Sequence, residues 1–386
     1  MKFDFDRVTE RRGTDSIKYD FAKERGKPEG LLPMWIADMD FPAPPLVLAD
    51  IQKTVSHGIF GYTDVKDDYY DALAGWFQGR LGYRITREEV VKTPGVVFAL
   101  ACAIRAYTKP GDAVMVQTPV YYPFYNVIRD NGRELVKNPL ACRDGRYSVD
   151  FEDFERKVSE REVKLFILCS PHNPVGRVWS REELEAMNAI CENHGVIVVS
   201  DEIHCDLVWP GHSHTVFGGI NENAVICTAP SKTFNLAGLQ ASNIFVKNAE
   251  LRRLLELEIS RSGYSQLNTI ALAACKSAYR HGGAWLDALK AYLAKNIDFV
   301  RSFLPEKMPQ VKLVEPEGTY LLWLDFRELG LSPNALDSLI AEKAGLWLSA
   351  GTTFGDEGAG FQRVNIACPK AMLDAAFARL AKAVCG

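Results

Sequence analysis

Residues 165–170 read LFILCS, residues 196–202 read VIVVSDE, and residues 224–232 read AVICTAPSK. Each is a short apolar run that gives way to polar residues, which predicts three buried strands. The polar side chains at or just beyond the three ends include Asn173, Asp201 and Lys232. Because parallel strands bring their carboxyl ends to one edge of an open sheet, where ligands bind, we expect a site at this edge.

The segments around these runs alternate between helical and extended patterns, which predicts an α/β fold with a mostly parallel sheet. A helix is expected over 182–194, with Ser180 and Glu183 forming a capping box at its start. Residues 207–222 hold no clear helix, so the connection between the second and third strands is expected to be irregular. Residues 94–107 (PGVVFALACAIRAY) predict a Gly turn that opens an apolar helix, and free backbone N–H groups there would suit a phosphate.

The C-terminal part has a pattern of its own: a long helix over 287–304, a strand over 319–326 and a helix over 334–344. This predicts a second, smaller α+β layer. Since no linker rich in Gly, Ser or Pro divides the chain, the second domain must pack closely on the first. We expect a large domain over residues 48–287 and a small domain that combines residues 1–47 with 288–386.

Composition narrows the class of protein. Hydrophobic residues make up 47% of the chain and charged residues 24%, as in an ordinary globular protein. A net charge of −4 gives no reason to expect nucleic acid or an anionic membrane as a partner. The charged N-terminal segment does not resemble a secretory signal, and the longest apolar run, Val96 to Ile104, is shorter than the roughly 20 residues that span a bilayer. Nine scattered cysteines without a CxxC pair indicate reduced thiols, so we expect a cytoplasmic protein.

A metal site has little support in the sequence. His212 and His214 lie in the Gly-flanked segment GHSHT, but no spacing of metal ligands accompanies them. We interpret the segment as a solvated loop and predict no metal.

Lys232 is the residue with the clearest chemical implication. A lysine at the end of a buried strand is costly unless it is paired or used covalently. Lys232 could form an imine with an aldehyde cofactor that takes up electrons in reactions of amino acids. Once released from that imine, its amine could act as a general base. Asp201 would then keep a pyridine nitrogen protonated, Asn173 would donate to the ring oxygen, and Tyr121 or Tyr122 would stack on the ring.

Arg363 could hold an α-carboxylate as a bidentate pair. Each of these residues also has an ordinary interpretation: a strand-end Asp as a turn or cap, a Tyr-rich turn as packing, a lone Arg as a solvated side chain. The order of Asn173, Asp201 and Lys232, each at a strand end and about one strand and connection apart, favours the chemical interpretation.

Three motifs resemble the fold-type I, pyridoxal 5′-phosphate (PLP)-dependent aminotransferase superfamily: SPHNPVGRVW (170–179), SDEIHCDL (200–207) and SKTFNLAGLQ (231–240). LPMWIADMDFPAPP (32–45) and FGYT (60–63), with the histidine of DEIH, further resemble its MalY/PatB branch of cystathionine β-lyase-like C–S lyases. The resemblance runs from about residue 30 to 370. It implies a large domain with a mostly parallel seven-stranded sheet, a smaller α+β domain, and a PLP-binding homodimer.

The resemblance also implies roles for individual residues. Lys232 would form the Schiff base and move the Cα proton, Asp201 would pair with the pyridine nitrogen, and Tyr121 would stack on the ring. Asn173 would bind the ring oxygen O3′ and help to hold the substrate carboxylate. The remaining contacts are Val96 and Val97 amides, Ser231 and a neighbouring subunit's Tyr62 for the phosphate, Arg363 for the substrate carboxylate, and Ala37 near the substrate.

Two positions depart from the pattern of many aminotransferases. Gln240 stands where many have an arginine that contacts the phosphate. Amides at the helix start and hydroxyl groups must therefore contribute more of the phosphate binding. His204 stands where many have a tyrosine, and it could donate to O3′ as a titratable group.

The predicted function is β-elimination from L-cystathionine or related S-substituted L-cysteines, giving a thiol, pyruvate and ammonia. Transamination between an amino acid and a 2-oxo acid is the first alternative, because the same residues would serve it. A PLP-fold protein with a regulatory role is the second, although intact Lys232, Asp201 and Asn173 argue against it.

Overall fold

A computed structural model describes residues 3–386 of the chain. The α-helices are α1 (Pro45–His57), α2 (Asp67–Leu81), α3 (Val96–Tyr107), α4 (Pro123–Asp130), α5 (Phe151–Glu160), α6 (Arg181–Asn193), α7 (Pro230–Thr233), α8 (Ala249–Arg261), α9 (Thr269–His281), α10 (Gly283–Lys307), α11 (Pro333–Ser338) and α12 (Lys370–Cys385). The strands are β1 (Leu32–Pro33), β2 (Val90–Thr93), β3 (Ala113–Thr118), β4 (Glu134–Pro139), β5 (Ala141–Arg143), β6 (Arg146–Ser148), β7 (Leu165–Cys169), β8 (Ile197–Asp201), β9 (Val225–Thr228), β10 (Ser242–Val246), β11 (Lys312–Val314), β12 (Leu321–Asp325), β13 (Leu346–Trp347), β14 (Ser349–Ala350) and β15 (Phe361–Asn365).

The large sheet has seven strands in the order β2-β10-β9-β8-β7-β3-β4. Strand β10 runs antiparallel to both of its neighbours, and the other pairs are parallel. The three strands predicted from the apolar runs are therefore β7, β8 and β9, and they are adjacent at the centre of the sheet. The predicted α/β class and mostly parallel seven-stranded sheet are confirmed.

Strand β7 illustrates why these runs are apolar throughout. Phe166 and Leu168 pack into one core cluster, whereas Leu165, Ile167 and Cys169 pack into another. Alternate side chains point to opposite faces of a strand, so both faces of this sheet are covered by helices. Helix α6 begins as predicted, because the Ser180 hydroxyl accepts from the Glu183 amide while the Glu183 carboxylate accepts from the Ser180 amide.

A second sheet contains the antiparallel strands β11-β12-β15-β14, in agreement with the predicted smaller α+β layer. Strand β1 of the N-terminal segment pairs with β13 of the C-terminal part, with Leu32 opposite Leu346. This pairing supports a small domain built from both ends of the chain. Its proposed limits at residues 47/48 and 287/288 fall within α1 and α10 and stay a prediction.

The connection from β8 to β9 is irregular, as predicted, with one short 3₁₀ turn over Phe217–Gly219. The interpretation of GHSHT as a solvated loop is wrong for His214, whose side chain is buried. Its Nε2 lies 2.8 Å from the Glu202 carboxylate. Glu202 also accepts from the Ser200 hydroxyl and from the Phe217 amide, so this carboxylate holds the connection against the end of β8. No helix among residues 3–386 is both long and apolar enough to cross a membrane.

Candidate active site

A cavity opens at the carboxyl ends of β7, β8 and β9, at the edge where the sequence predicts a site. The residues predicted to form that site line it, except Tyr62 and Arg363; Arg363 instead contacts the lining residue Asn173. The lining residues are Ala37, Pro94, Gly95, Val96, Val97, Tyr121, Cys169, Asn173, Asp201, Ile203, His204, Ala229, Ser231, Lys232, Ala237, Gln240 and Ala241.

Lys232 reaches the cavity from α7, the single helical turn that follows β9. Its ammonium nitrogen donates to the backbone carbonyl of Ala37 at 2.7 Å. Burial lowers the pKa of Lys232 to about 8, although the carboxylates of Asp38 and Asp201 act in the opposite direction. A buried lysine with a lowered pKa supplies a free amine near neutral pH, as a nucleophile or a base requires.

Asp201 is the last residue of β8, and its carboxyl group is buried in the cavity wall. One of its oxygens accepts a hydrogen bond from the Ile203 amide at 3.1 Å. Burial raises the pKa of Asp201 to about 7, because this bond and the charge of Lys232 compensate only part of the desolvation. A cation brought to this carboxylate would therefore be bound strongly.

His204 lies three residues after Asp201, the last residue of β8, and is also buried. Burial, reinforced by the charges of Lys232 and Arg363, lowers its pKa to about 3. The ring is thus neutral near pH 7, so it does not act as a group that titrates at that pH. Its Nδ1 is buried without a hydrogen-bond partner in the described part of the chain.

Arg363 lies on β15 of the small sheet and faces the large one. Its guanidinium donates to Asn173 Oδ1 at 3.0 Å and to the Trp35 carbonyl at 2.7 Å, and it lies over the ring of Phe354. Within residues 3–386, Arg363 has no carboxylate partner and its Nε is buried without an acceptor. Burial lowers the pKa of Arg363 to about 10. An incoming carboxylate would relieve this uncompensated charge.

One part of the cavity wall is suited to a phosphate. Helix α3 begins at Val96 after Gly95, as predicted, so N–H groups of its first turn lie at the cavity wall. Ser231 and Gln240 lie nearby in the lining. A helix start of this kind binds anions through its free amides and its dipole.

Two tyrosines that were predicted to contact the cofactor, Tyr121 and Tyr62, lie in different parts of the structure. Tyr121 lines the cavity, its ring 5.6 Å from that of Tyr122, and burial raises its pKa to about 12. Tyr62 is not part of the cavity in one chain: its side chain is 99% exposed, close to the exposed Phe60.

The sequence interpretation missed several residues that shape the site. The buried hydroxyl of Tyr320 donates to the Ala37 carbonyl at 3.1 Å, and Ser349 shares the Trp35 carbonyl with Arg363. Tyr320 lies in the apolar run TYLLWLDF, where nothing distinguishes it from a core residue. These contacts join segments far apart in the chain, and local patterns carry no signal for them.

The comparison with known families agrees with this geometry. Residues 36–380 match the model of the family "Aminotransferase class I and II". The chain belongs to this family. The match spans both sheets and therefore the whole site, including Ala37, Lys232 and Arg363.

Full-length relatives of this aminotransferase-family chain are also known. It is 45% identical to the cystathionine beta-lyase PatB of Bacillus subtilis (strain 168), over 98% of this chain and 99% of that protein. It is 35% identical to the protein MalY of Escherichia coli (strain K12), over 99% of each. Among solved structures, the PLP-bound C-S lyase from Staphylococcus hominis superposes with a TM-score of 0.93 at 32% identity, covering 100% of this chain and 99% of that one.

Proposed function

We propose that this chain is a PLP-dependent C–S β-lyase that cleaves L-cystathionine or related S-substituted L-cysteines to a thiol, pyruvate and ammonia. The observation that carries the proposal is the convergence of Lys232, Asp201, Asn173 and a helix start on one cavity. The names of relatives that match over almost the whole chain, PatB and the Staphylococcus C-S lyase, support the reaction type.

The residues present fit PLP. Asp201 offers a buried carboxyl group to the pyridine nitrogen, and burial raises the pKa of this group to about 7. The unpartnered Nδ1 of His204 and the amide of Asn173 are available for the ring oxygen O3′. Tyr121 also lines the cavity, and in this proposal its ring stacks on the pyridine ring.

The phosphate would be held by the Val96 and Val97 amides and the Ser231 hydroxyl, with Gln240 contributing no charge. When bound, PLP supplies an electron sink for the negative charge that develops at the substrate Cα.

Lys232 performs the proton transfer in this proposal. Its free amine removes the proton from Cα, because a pKa of about 8 leaves part of the amine uncharged near neutral pH. The Cβ–S bond then breaks, and its electron pair leaves on sulfur, which takes up a proton as the thiol. The released 2-aminoacrylate reacts with water to give pyruvate and ammonia.

Arg363 and Asn173 orient the substrate. The guanidinium offers a planar pair of donors to the α-carboxylate, and its bond to Asn173 Oδ1 fixes the plane in which they lie. The small sheet thus supplies the carboxylate site, and the large sheet supplies the reacting groups. Ala37 lies between them, in contact with Lys232.

We further propose that the enzyme is a homodimer with shared active sites. Tyr62 is almost fully exposed and Ile59 and Phe60 are also exposed, which leaves an apolar loop uncovered on one chain. In a dimer this loop would meet the neighbouring cavity, where the Tyr62 hydroxyl would reach the phosphate.

The test of the function is turnover of L-cystathionine without any 2-oxo acid, with pyruvate and free thiol followed over many cycles. Continuous release of both in equal amounts supports the lyase. A reaction that stops after one cycle, and resumes only when a 2-oxo acid is added, would show an aminotransferase instead. L-Alanine, which lacks a leaving group on Cβ, is the control substrate and should give no pyruvate under the same conditions.

A further inference from the structure

Residues 34–41 (MWIADMDF) form an irregular segment, called the strap here, that follows β1 and lines the cavity at Ala37, beside Lys232. Its backbone carbonyls accept from two different parts of the molecule. Those of Ile36 and Asp38 accept from the side-chain amide of Asn365 on β15, at 2.6 Å each. Those of Ala37 and Met39 accept instead from Lys232 and Asn235, although the strap is bent at Ile36 and Ala37.

The other side of the strap faces the loop that carries Lys232, and Asn235 makes most of the contacts. Its side-chain amide donates to the carbonyls of Met39 and Phe41 at 2.9 Å each, and its Oδ1 accepts from the Met39 amide at 2.9 Å. Asn235 has a φ of 56°, a left-handed conformation that asparagine tolerates better than most residues. The side chain is thereby directed from the loop onto the strap.

The strap and the loop that carries Lys232 are thus joined at two places. The first is the set of hydrogen bonds from Asn235 to Met39 and Phe41. The other is the bond from Lys232 Nζ to the Ala37 carbonyl at 2.7 Å. Lys232 and Asn235 are three residues apart, and Ala37 and Met39 are two apart, so the first set of bonds fixes the distance available to the second.

We propose that Asn235 is a positioning residue for the proton transfer: by fixing the strap against the lysine loop, it holds the Ala37 carbonyl where it accepts the ammonium that Lys232 becomes after taking the Cα proton. The proposal rests on the function proposed above. It concerns how the chain places its own lysine, and it adds a residue that touches neither substrate nor cofactor.

Several other groups also face Lys232 and influence its charge state. The charged ones are Asp201 on β8, Asp38 on the strap and Arg363 on β15. His204, which is neutral, and the hydroxyl of Tyr320, which shares the Ala37 carbonyl, complete the set. None of these contacts the Asn235 side chain, so changing Asn235 leaves the charges around Lys232 in place.

The test compares Asn235→Gly with Asn296→Ala in the holoenzyme. Glycine accepts the left-handed backbone, so the variant loses only the clamp. Asn296 is a matched control, because its buried amide also donates to two backbone carbonyls, of Ile366 and Cys368 at 3.0 Å each, in the small domain. The kinetics are measured with L-cystathionine carrying hydrogen or deuterium at Cα.

We expect kcat to fall about 10- to 100-fold in Asn235→Gly, the range for a misplaced reacting group, with KM changed less than threefold, roughly. The deuterium isotope effect on kcat should increase, because proton transfer becomes slower than the other steps. Asn296→Ala should keep the wild-type isotope effect even if it melts at a lower temperature. An unchanged isotope effect in Asn235→Gly, or an equal increase in Asn296→Ala, would overturn the proposal.

A second readout does not depend on turnover. The rate at which cofactor-free protein captures PLP follows the uncharged fraction of Lys232, and its pH profile gives the pKa of that lysine. If the Ala37 carbonyl is no longer held in position, the Lys232 ammonium loses an acceptor. The apparent pKa of Lys232 should therefore fall in Asn235→Gly and equal the wild-type value in Asn296→Ala. An unchanged pKa in Asn235→Gly counts against the proposal.

The two readouts separate the proposals. If the wild-type protein does not cleave L-cystathionine, the lyase function fails, yet the capture profile still decides the role of Asn235. If Asn235→Gly does not fold, Asn235→Asp replaces it. This variant keeps the acceptor for the Met39 amide and loses both donated bonds, and it is judged by the isotope effect alone.

Discussion

Two buried arginines show how the active-site cavity differs from the rest of the interior. Arg177, just beyond β7, donates to the Glu183 carboxylate at 2.8 Å and to the Glu317 carboxylate at 2.8 Å, so its charge is balanced by carboxylates. Arg363 donates to carbonyl, amide and hydroxyl oxygens, and among the described residues it has no carboxylate partner.

Two acidic neighbours at the end of β8 differ in the same way. The Glu202 carboxylate accepts from the Ser200 hydroxyl, the Phe217 amide and His214, whereas Asp201 accepts from the Ile203 amide. Asp201 points into the cavity, and Glu202 points away from it into the core. Charges that stabilise the fold have partners within the chain. We infer that the charges at the cavity gain their partners when cofactor and substrate bind.

Lys232 should give the largest effect on activity. Lys232→Ala is expected to lower pyruvate release by at least about 10²–10⁴-fold, the range for a lost acid–base group. The cofactor-free protein should keep or raise its melting temperature, because a buried cation whose hydrogen bond goes to a backbone carbonyl costs desolvation. Turnover and thermal unfolding of one preparation measure both. A large drop in melting temperature would place Lys232 with the structural charges.

Substitutions of the two arginines are expected to change different properties: substrate binding for Arg363 and stability of the fold for Arg177. Arg363→Lys loses the planar pair of donors, and KM should rise about 10- to 100-fold, as expected for 1.5–3 kcal/mol of charged hydrogen bonding. Arg177→Lys should instead lower the free energy of unfolding by roughly 3 kcal/mol, because one ammonium group cannot replace the guanidinium donors that bond to both Glu183 and Glu317. Steady-state kinetics and denaturant unfolding check both variants. The comparison fails if Arg177→Lys raises KM as much as Arg363→Lys.

The two carboxylates predict opposite changes in the stability of cofactor-free protein. The folded-state pKa of Asp201, about 7, lies above its unfolded value, so the folded protein holds the extra proton between these values and loses stability as pH rises through this window. Asp201→Asn should therefore raise the free energy of unfolding at pH 8 by about 1–3 kcal/mol, while turnover falls because the pyridine nitrogen loses its partner.

Glu202→Gln is the matched variant and should lower stability, since the amide has one oxygen in place of the two that accept from Ser200, Phe217 and His214. Urea unfolding of cofactor-free protein at pH 5 and pH 8 measures both variants. Equal destabilisation of the two would remove the distinction between cavity and core charges.

The smallest predicted effect is at the subunit boundary. Tyr62→Phe removes one hydroxyl, so PLP retention should weaken about 2- to 10-fold, as expected for one hydrogen bond of 0.5–1.5 kcal/mol. Dialysis against buffer, with bound PLP followed by absorbance, measures the loss, and Tyr122→Phe serves as a comparison on the same chain. Unchanged retention would contradict the shared site.

The sequence was sufficient for the elements whose signals are local. The apolar runs gave β7, β8 and β9, the capping box gave the start of α6, and the Gly turn gave the start of α3. Because parallel strands end at one edge, the same runs also placed Asn173, Asp201 and Lys232 together.

What could not be predicted depends on contacts between distant segments. The burial of His214 follows from Glu202, twelve residues earlier, and nothing in GHSHT signals it. The strap contacts of Asn235 join positions almost 200 residues apart. An asparagine in a loop is usually a turn residue, so its role emerges only when the strap lies beside it.

Every role proposed for the site depends on Lys232 being the lysine that binds the cofactor. Incubating the protein with PLP, fixing the cofactor with borohydride on the lysine that binds it, and mapping the modified residue by mass spectrometry tests this assignment. We expect modification at Lys232 in a single peptide, with none in Lys232→Ala. Modification of a different lysine, or stable PLP binding with Lys232 unmodified, would contradict it.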